Sequence, residues 1–510
     1  MLSPVRALQR LAPRRVSKRS YTAAPATESP SNRAFDDLLP SFHLSHTIAF
    51  ELSASELRKR VTDDRTLLLI ISPSELRARF DYKSIREQAD KIKQNVAMRN
   101  AGGNVSVEKV IELYESWSTK KQSVDSMRTR RNEIAALMSK SKKRDVKLIA
   151  EGKELKEGIA VLEQEANELE SALMTEAFKL PNWTHPESPA LGESPRVVQL
   201  VGERPVFDGY VPKSHMELGK LDDMLFFPTM FGASKFYFGK RDTALLETAL
   251  VNWAMTTVAN KYGFTALTTP DVMAIPFAEA CGFQPRSAAT QMYSIANSEL
   301  CLVGTQEIPL ASLYSDHIIP EEQLPIKMVA YGHCFRHETG SSSESRGLYR
   351  VHQFTKVEMF IICKPEDSEK LHKELLDIEI DLLKDLNLHF KVLDMPADDL
   401  GASAYRKFDI EAWMPYREDY GEVTSASNCL DYQSRRLNMR YRPSEAVNGN
   451  MAPPQFVHTL NATALAVPRI TLAIMENFQQ ADRSIKVPDA LVPFLGGKKF
   501  LNVQNGTEKL

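Results

Sequence analysis

Between residues 107 and 178 the chain contains no proline and is dense in lysine, arginine, glutamate and leucine, which predicts long helix over the whole stretch. In its second half Leu155, Ile159, Leu162, Ala166, Leu169 and Leu173 recur at alternating spacings of four and three, the seam of a two-stranded coiled coil. In the first half Val107, Ile111, Tyr114, Trp117, Val124 and Met127 make a looser stripe. A lysine-rich join, Lys140, Lys142, Lys143, Arg144 and Lys147, sits where the tip of an antiparallel helical hairpin belongs.

This hairpin also concentrates positive charge. Lys120, Lys121, Arg128, Arg130, Arg131 and the five bases of the tip face only Asp125, Glu133 and Asp145, in a chain whose formal net charge is −2. Such an element can lie on the phosphate backbone of folded RNA and recognise its shape without reading bases. The alternative is a solvated coiled coil whose charges serve solubility or pairing between chains.

Arg6, Arg10, Arg14, Arg15, Lys18 and Arg19 precede the first acidic residue, Glu28, and alternate with Val5, Leu8, Leu11 and Val16. An arginine-rich, acid-poor leader of this kind resembles a mitochondrial transit peptide, with cleavage expected just after Tyr21 and the matrix as destination. The alternative is a disordered basic tail that binds nucleic acid non-specifically. Without those six bases the body is acidic, with 58 basic residues against 66 acidic ones, so RNA binding would have to rely on one local element such as the hairpin.

The remainder, from residue 183 on, reads as mixed strand and helix, and Pro181, Pro186, Pro189 and Pro195 mark the linker before it. Strands are predicted at 326–335, 348–363, 390–393 and 407–414, and helices at 366–386 and 470–481. Strands and helices do not alternate one for one, so the expected class is α+β, a helical hairpin plus a largely antiparallel sheet flanked by helices. The expected division is leader and linker at 1–33, an unassigned extension at 34–78, a hairpin domain at 79–182 and a second domain at 183–510. No apolar run is long enough for a membrane span. The five cysteines are far apart with no C-x-x-C pair, which predicts reduced, buried thiols in place of a zinc site. Glycine-rich dinucleotide and P-loop motifs are missing, so a nucleotide would be held by other means.

The most informative stretch runs Cys334-Phe335-Arg336-His337-Glu338, then a polar loop, then Arg346-Gly347-Leu348-Tyr349-Arg350-Val351-His352-Gln353-Phe354-Thr355-Lys356-Val357-Glu358. A strand, loop and second strand carrying three arginines set fixed cations beside polar acceptors, as phosphate chemistry requires. This resembles motif 2 of class II aminoacyl-tRNA synthetases, and the run from Gly347 to Glu358 looks like the seryl enzymes in particular. Phe264 to Pro270 looks like motif 1, which builds a homodimer interface in that family. Thr459 to Arg469 looks like motif 3.

The resemblance implies ATP and L-serine as substrates, tRNA(Ser) as partner and Mg²⁺ as cofactor. Arg336 would hold the ATP α-phosphate and the serine carboxylate, and Arg469 the γ-phosphate. Glu338 would accept from the adenine amino group with His337 nearby, Phe354 would stack on the purine, and Val351 would offer main-chain contacts. Glu422-Val423-Thr424-Ser425 resembles the segment that meets the phosphates, where Glu422 and Ser425 would take Mg²⁺. Read alone, the same residues could instead end a strand and cap the following helix. Serine selection is assigned to Thr305 and Glu307 of a T-x-E element together with Glu358 and Thr463, and tRNA contact to Arg128, Arg130, Arg131, Lys140, Lys142, Lys143, Arg144 and Lys147.

The chain departs from the family at Ala462-Thr463-Ala464, at Pro468 and at Glu344 in the motif 2 loop. Threonyl- or prolyl-type ligases are expected to carry a whole anticodon-binding domain after motif 3, where this sequence has only 480–510. A catalytically dead RNA-binding paralogue would have no use for a phosphate clamp of arginines.

Overall fold

The computed structural model describes residues 76, 78–101, 103, 105–140, 145–228, 235–283, 292–338, 347–445 and 451–502. The leader, all of the extension except Leu76 and Ala78, and Lys142, Lys143 and Arg144 lie outside them.

Two short helices, α1 (Tyr82–Glu87) and α2 (Ala89–Met98), precede the long arms α3 (Val107–Lys140) and α4 (Val146–Phe178). The arms run antiparallel, as the pairs Lys120–Glu165 (2.5 Å), Arg128–Glu163 (2.6 Å) and Arg130–Glu151 (2.8 Å) show. Ile159 and Leu173 are buried along the predicted seam. On the first arm Val110 is buried where Ile111 was expected, because 107, 110, 114 and 117 keep the three-and-four rhythm that the facing helix requires. Gly158 lets the arms approach: a Cβ there would lie 2.6 Å from Met127 Cε. Asp145 starts α4 by accepting from the amides of Lys147 and Leu148, which satisfies two otherwise orphaned donors.

The second body is an eight-stranded sheet, with strands numbered in chain order as β1 (Arg196–Val201), β2 (Thr265–Thr268), β3 (Ile326–Phe335), β4 (Gln353–Cys363), β5 (Phe390–Asp394), β6 (Arg406–Met414), β7 (Asp419–Asn428) and β8 (His458–Ala466). Their spatial order is β1-β5-β6-β7-β8-β4-β3-β2, antiparallel throughout except for β2, which runs parallel to β3 at the edge. Five helices bear on the site: α5 (Asp242–Tyr262), α6 (Glu307–Ser312), α7 (Ser368–Asp385), α8 (Tyr432–Leu437) and α9 (Val467–Asn477).

Strand alternation divides the sheet into two faces. Val357, Met359, Ile361, Ile410, Ala412, Leu460, Ala462 and Ala464 join the core formed with α5, α7 and α9. The opposite face carries Lys356, Glu358, Asn461 and Thr463, and its outer part is covered by a second core around Phe360, Ile362, Ile308 and Leu310. These four polar residues therefore lie on a floor between two apolar masses.

The hairpin base is anchored to this body by buried groups. Arg436 of α8 donates to the carbonyl oxygens of Leu180 (2.9 Å) and Phe178 (3.4 Å) while its guanidinium stacks 3.4 Å from the Tyr432 ring. Asn182 donates to the Ser403 and Cys429 carbonyls, 2.8 Å each. Among the described residues no helix is long and apolar enough to cross a membrane.

Candidate active site

The site begins where β3 ends. Phe335 N donates to Val303 O (2.8 Å), and Arg336 Nε donates to Gly304 O (3.2 Å), so the segment Thr305-Gln306-Glu307 is stapled to the tip of the strand. Gln306 completes the staple by accepting from Thr269 Oγ1 (2.6 Å) and donating to His333 O (3.0 Å). Gly332 makes room for it, because a Cβ there would meet Gln306 Nε2 at 2.4 Å.

A single cavity is lined by Arg336, Glu338, Tyr349, Arg350, Val351, Phe354, Lys356, Glu422, Val423, Thr424, Ser425, Thr463 and Arg469, among others. The two arginines from distant blocks of sequence therefore share one space. Arg336 lies 5.3 Å over the Phe354 ring and has no ion-pair partner among the described residues. Arg469 is engaged on three sides, donating to Tyr349 O (3.2 Å) and Glu422 O (2.9 Å) and pairing with the Glu422 carboxylate (3.1 Å). Glu338 is held by Arg350 at 2.8 Å.

Some predicted residues fall outside the cavity wall. His337 is exposed and meets Tyr293 and His352 instead. Thr305 and Glu307 lie buried behind Arg336, with Thr305 Oγ1 accepting from Glu307 N (3.3 Å). Glu358 sits beneath the floor, bound by Lys356 (2.5 Å) and by the Thr463 hydroxyl (3.4 Å). Burial, then the Glu358 charge, pushes the Glu307 carboxyl up to about 7 against the pull of Lys356, Gln433 and Arg336. Burial also raises Glu358, and Lys356 and Arg336 oppose it. For Glu422 the Arg469 and Lys407 charges outweigh burial and hold the carboxyl below the ordinary range.

The structure also explains how Glu422 and Ser425 share a face. Three residues apart on a regular strand they would point in opposite directions. Pairing of β7 with β6 jumps from Glu411↔Glu422 to Ile410↔Thr424, so Val423 is bulged and the alternation resets. Both side chains then stand on the polar floor, beside Asp409, which is buried with one carboxylate oxygen lacking a hydrogen-bond partner. Among the described residues no three His, Cys, Asp or Glu are placed to hold a metal by themselves. One carboxylate and one hydroxyl suit Mg²⁺, which keeps several waters and takes further oxygens from substrate phosphates. The donor set therefore fits that ion.

Sequence reasoning missed Lys356, Asn461 and Gln433. The first two stand two residues before Glu358 and Thr463 on strands, so period two was a usable signal; Gln433, on a separate helix, gave none.

On the hairpin, Arg128 and Arg130 are engaged with Glu163 and Glu151 across the arms, Arg131 and Lys147 are exposed, and the tip from 141 to 144 is outside the described residues. Exposed pairs of this type are worth little and can exchange for phosphate.

Two family models match the chain, one described as the seryl-tRNA synthetase N-terminal domain over residues 80–184 and one as the tRNA synthetase class II core domain (G, H, P, S and T) over 292–478. A serine–tRNA ligase of Treponema denticola is 43% identical over 426 residues, covering 82% of this chain and 99% of the relative. A mitochondrial serine–tRNA ligase of Mus musculus is 44% identical over 357 residues, covering 68% of this chain and 67% of the relative. The crystal structure of seryl-tRNA synthetase from Pyrococcus horikoshii complexed with ATP superposes with a TM-score of 0.73 at 30% identity, covering 82% of this chain and 99% of that one.

Proposed function

The chain belongs to the seryl-tRNA synthetase family of class II ligases, and from that premise we propose that it activates L-serine with ATP and passes the seryl group to tRNA(Ser) in the mitochondrial matrix. The observation that carries the catalytic part is the cavity shared by Arg336 and Arg469 beside the buried carboxylates Glu307 and Glu358.

In this reading the serine carboxylate attacks the ATP α-phosphorus, forming seryl-adenylate and releasing pyrophosphate. The terminal ribose hydroxyl of the tRNA then displaces AMP. Arg336 offsets charge on the reacting phosphate and orients the serine carboxylate, while Arg469, fixed by Glu422 and Tyr349, grips the far end of the triphosphate. Glu338 and Phe354 frame the adenine, with Val351 offering its main chain. Mg²⁺, held by Glu422 and Ser425, would neutralise phosphate charge. Thr305, Glu307, Glu358 and Thr463 receive the serine side chain and ammonium group. Neither step needs a side-chain nucleophile, and no general base is assigned.

Residues 79–182 form the tRNA-binding domain in this reading and 183–510 the catalytic domain, with 1–33 as leader and linker and 34–78 unassigned. The mitochondrial assignment is supported by the composition of the leader and by the Mus musculus relative, alongside bacterial relatives of equal similarity. Dimerisation through α5 and β2 is supported by the exposure of Thr265, Ala266 and Thr268 at the sheet edge.

The test is exchange of labelled pyrophosphate into ATP by the purified protein, with serine, threonine and alanine run side by side. Serine should support exchange at least about 10³-fold better than alanine, because a buried carboxylate left without the substrate hydroxyl is costly. No exchange with any of the three under varied magnesium would favour the dead paralogue.

A further inference from the structure

Behind Glu307 lies a buried network to which the reaction as described gives no role. Gln433 of α8 is fully buried and donates from Nε2 to Glu307 Oε1 at 2.5 Å. Asn461 Nδ2 donates to the same oxygen at 2.7 Å. Both bonds fall on Oε1, so Oε2 is the oxygen left for the substrate.

The direction of the amide is itself determined. Thr459, also fully buried, donates its hydroxyl proton to Gln433 Oε1 at 2.7 Å. An ionised carboxylate only accepts, so it takes the Gln433 NH₂ group and leaves the amide oxygen to the Thr459 hydroxyl. Thr459 and Asn461 project from the same face of β8, the face that also carries Thr463. The charged and titratable groups around Glu307 are Glu358 and Lys356 on β4, Arg336 at the end of β3, and the thiols of Cys281 and Cys429. Gln433 is a neutral donor among them, committed to one oxygen.

The geometry assigns Gln433 as a positioning residue for serine selection, acting through Glu307: it fixes the carboxylate rotamer and directs Oε2 toward the substrate. This rests on the reading of Glu307 as one of the carboxylates that receive the serine side chain and ammonium group. Because a donor on the ionised form favours that form, the Gln433 hydrogen bond also opposes the upward push of burial on the Glu307 carboxyl. Removing the donor raises the Glu307 pKa further, so a smaller fraction is ionised near neutrality and the acid limb of activity moves to higher pH.

The experiment compares wild type with Gln433→Met, Gln433→Glu and Glu307→Gln in the full chain, measuring melting temperature, the KM for ATP, and kcat and KM for serine in pyrophosphate exchange between about pH 6 and 9. Gln433→Met preserves volume but removes the donor. It is expected to raise the serine KM about 10-fold with the ATP KM within about twofold, and to move the acid limb upward. Gln433→Glu guards against a Met variant that does not fold. When protonated it can still donate to Glu307, and when ionised it repels it, so its serine KM should worsen as pH rises while that of wild type does not. A folded Gln433→Met with serine KM and acid limb within about twofold of wild type, or a Gln433→Glu profile parallel to wild type, overturns the assignment. If Glu307→Gln leaves the serine KM unchanged, the reading of Glu307 itself fails and the role of Gln433 with it.

Discussion

With Arg336 replaced by alanine, serine-dependent exchange of pyrophosphate into ATP is expected to fall by about 10³-fold, an increase of about 4 kcal/mol in the barrier. The melting temperature should change little. Both expectations come from what the guanidinium does in the free protein. It makes one hydrogen bond to Gly304 O, lies over Phe354, and has no carboxylate partner among the described residues, so its charge is available to a substrate anion. Arg469 differs, because its guanidinium is already joined to Glu422 and to two carbonyl groups. Its removal would orphan partners and disturb the fold as well as the chemistry. Arg336→Lys should recover little, since an ammonium cannot span two oxygens as the planar fork does. Exchange within a few-fold of wild type in Arg336→Ala would show that the phosphates bind elsewhere.

The features that were readable from the sequence are those governed by local periodicity. The hairpin seam, the α+β class and strand β3 follow from spacings of three, four and two, which neighbouring residues enforce on one another. The predicted strand from 348 began too early because Gly347, at φ +66°, opens a 3-10 turn over Leu348 and Tyr349 before β4 starts. Likewise the helix expected from 470 begins at Val467, since Pro468 fits the first helical turn, where its missing N–H is not needed.

Less visible were features set by pairing between distant segments. A bulge at Val423 depends on the register of β6 against β7, and strict alternation would have separated Glu422 from Ser425. Gln433 reaches Glu307 only because α8 is packed against the sheet, a contact with no trace in local pattern. The site residues that could be named were carried by the family resemblance of their motifs, and their convergence on one cavity is a property of the fold.

Truncating the hairpin should separate the two half-reactions. The cut is set by the contact of Met127 with Gly158: removing 128–157 and closing the arms with a short glycine-serine turn deletes both strands of the outer coil and leaves no unpaired helix. The base remains held by Val110 and Leu173 in their small core and by Arg436 and Asn182 against the body. Adenylate formation, which depends on the distant sheet floor, is expected to stay within about twofold of wild type, whereas kcat/KM for tRNA charging should fall by about 10²-fold or more as several phosphate contacts are lost together. The wild-type charging reaction should weaken steeply with added salt, and the truncated protein should show a shallower slope, because fewer counterions are released when it binds RNA. Equal loss of both half-reactions would make the hairpin a folding element, and unimpaired charging would place the RNA on another surface.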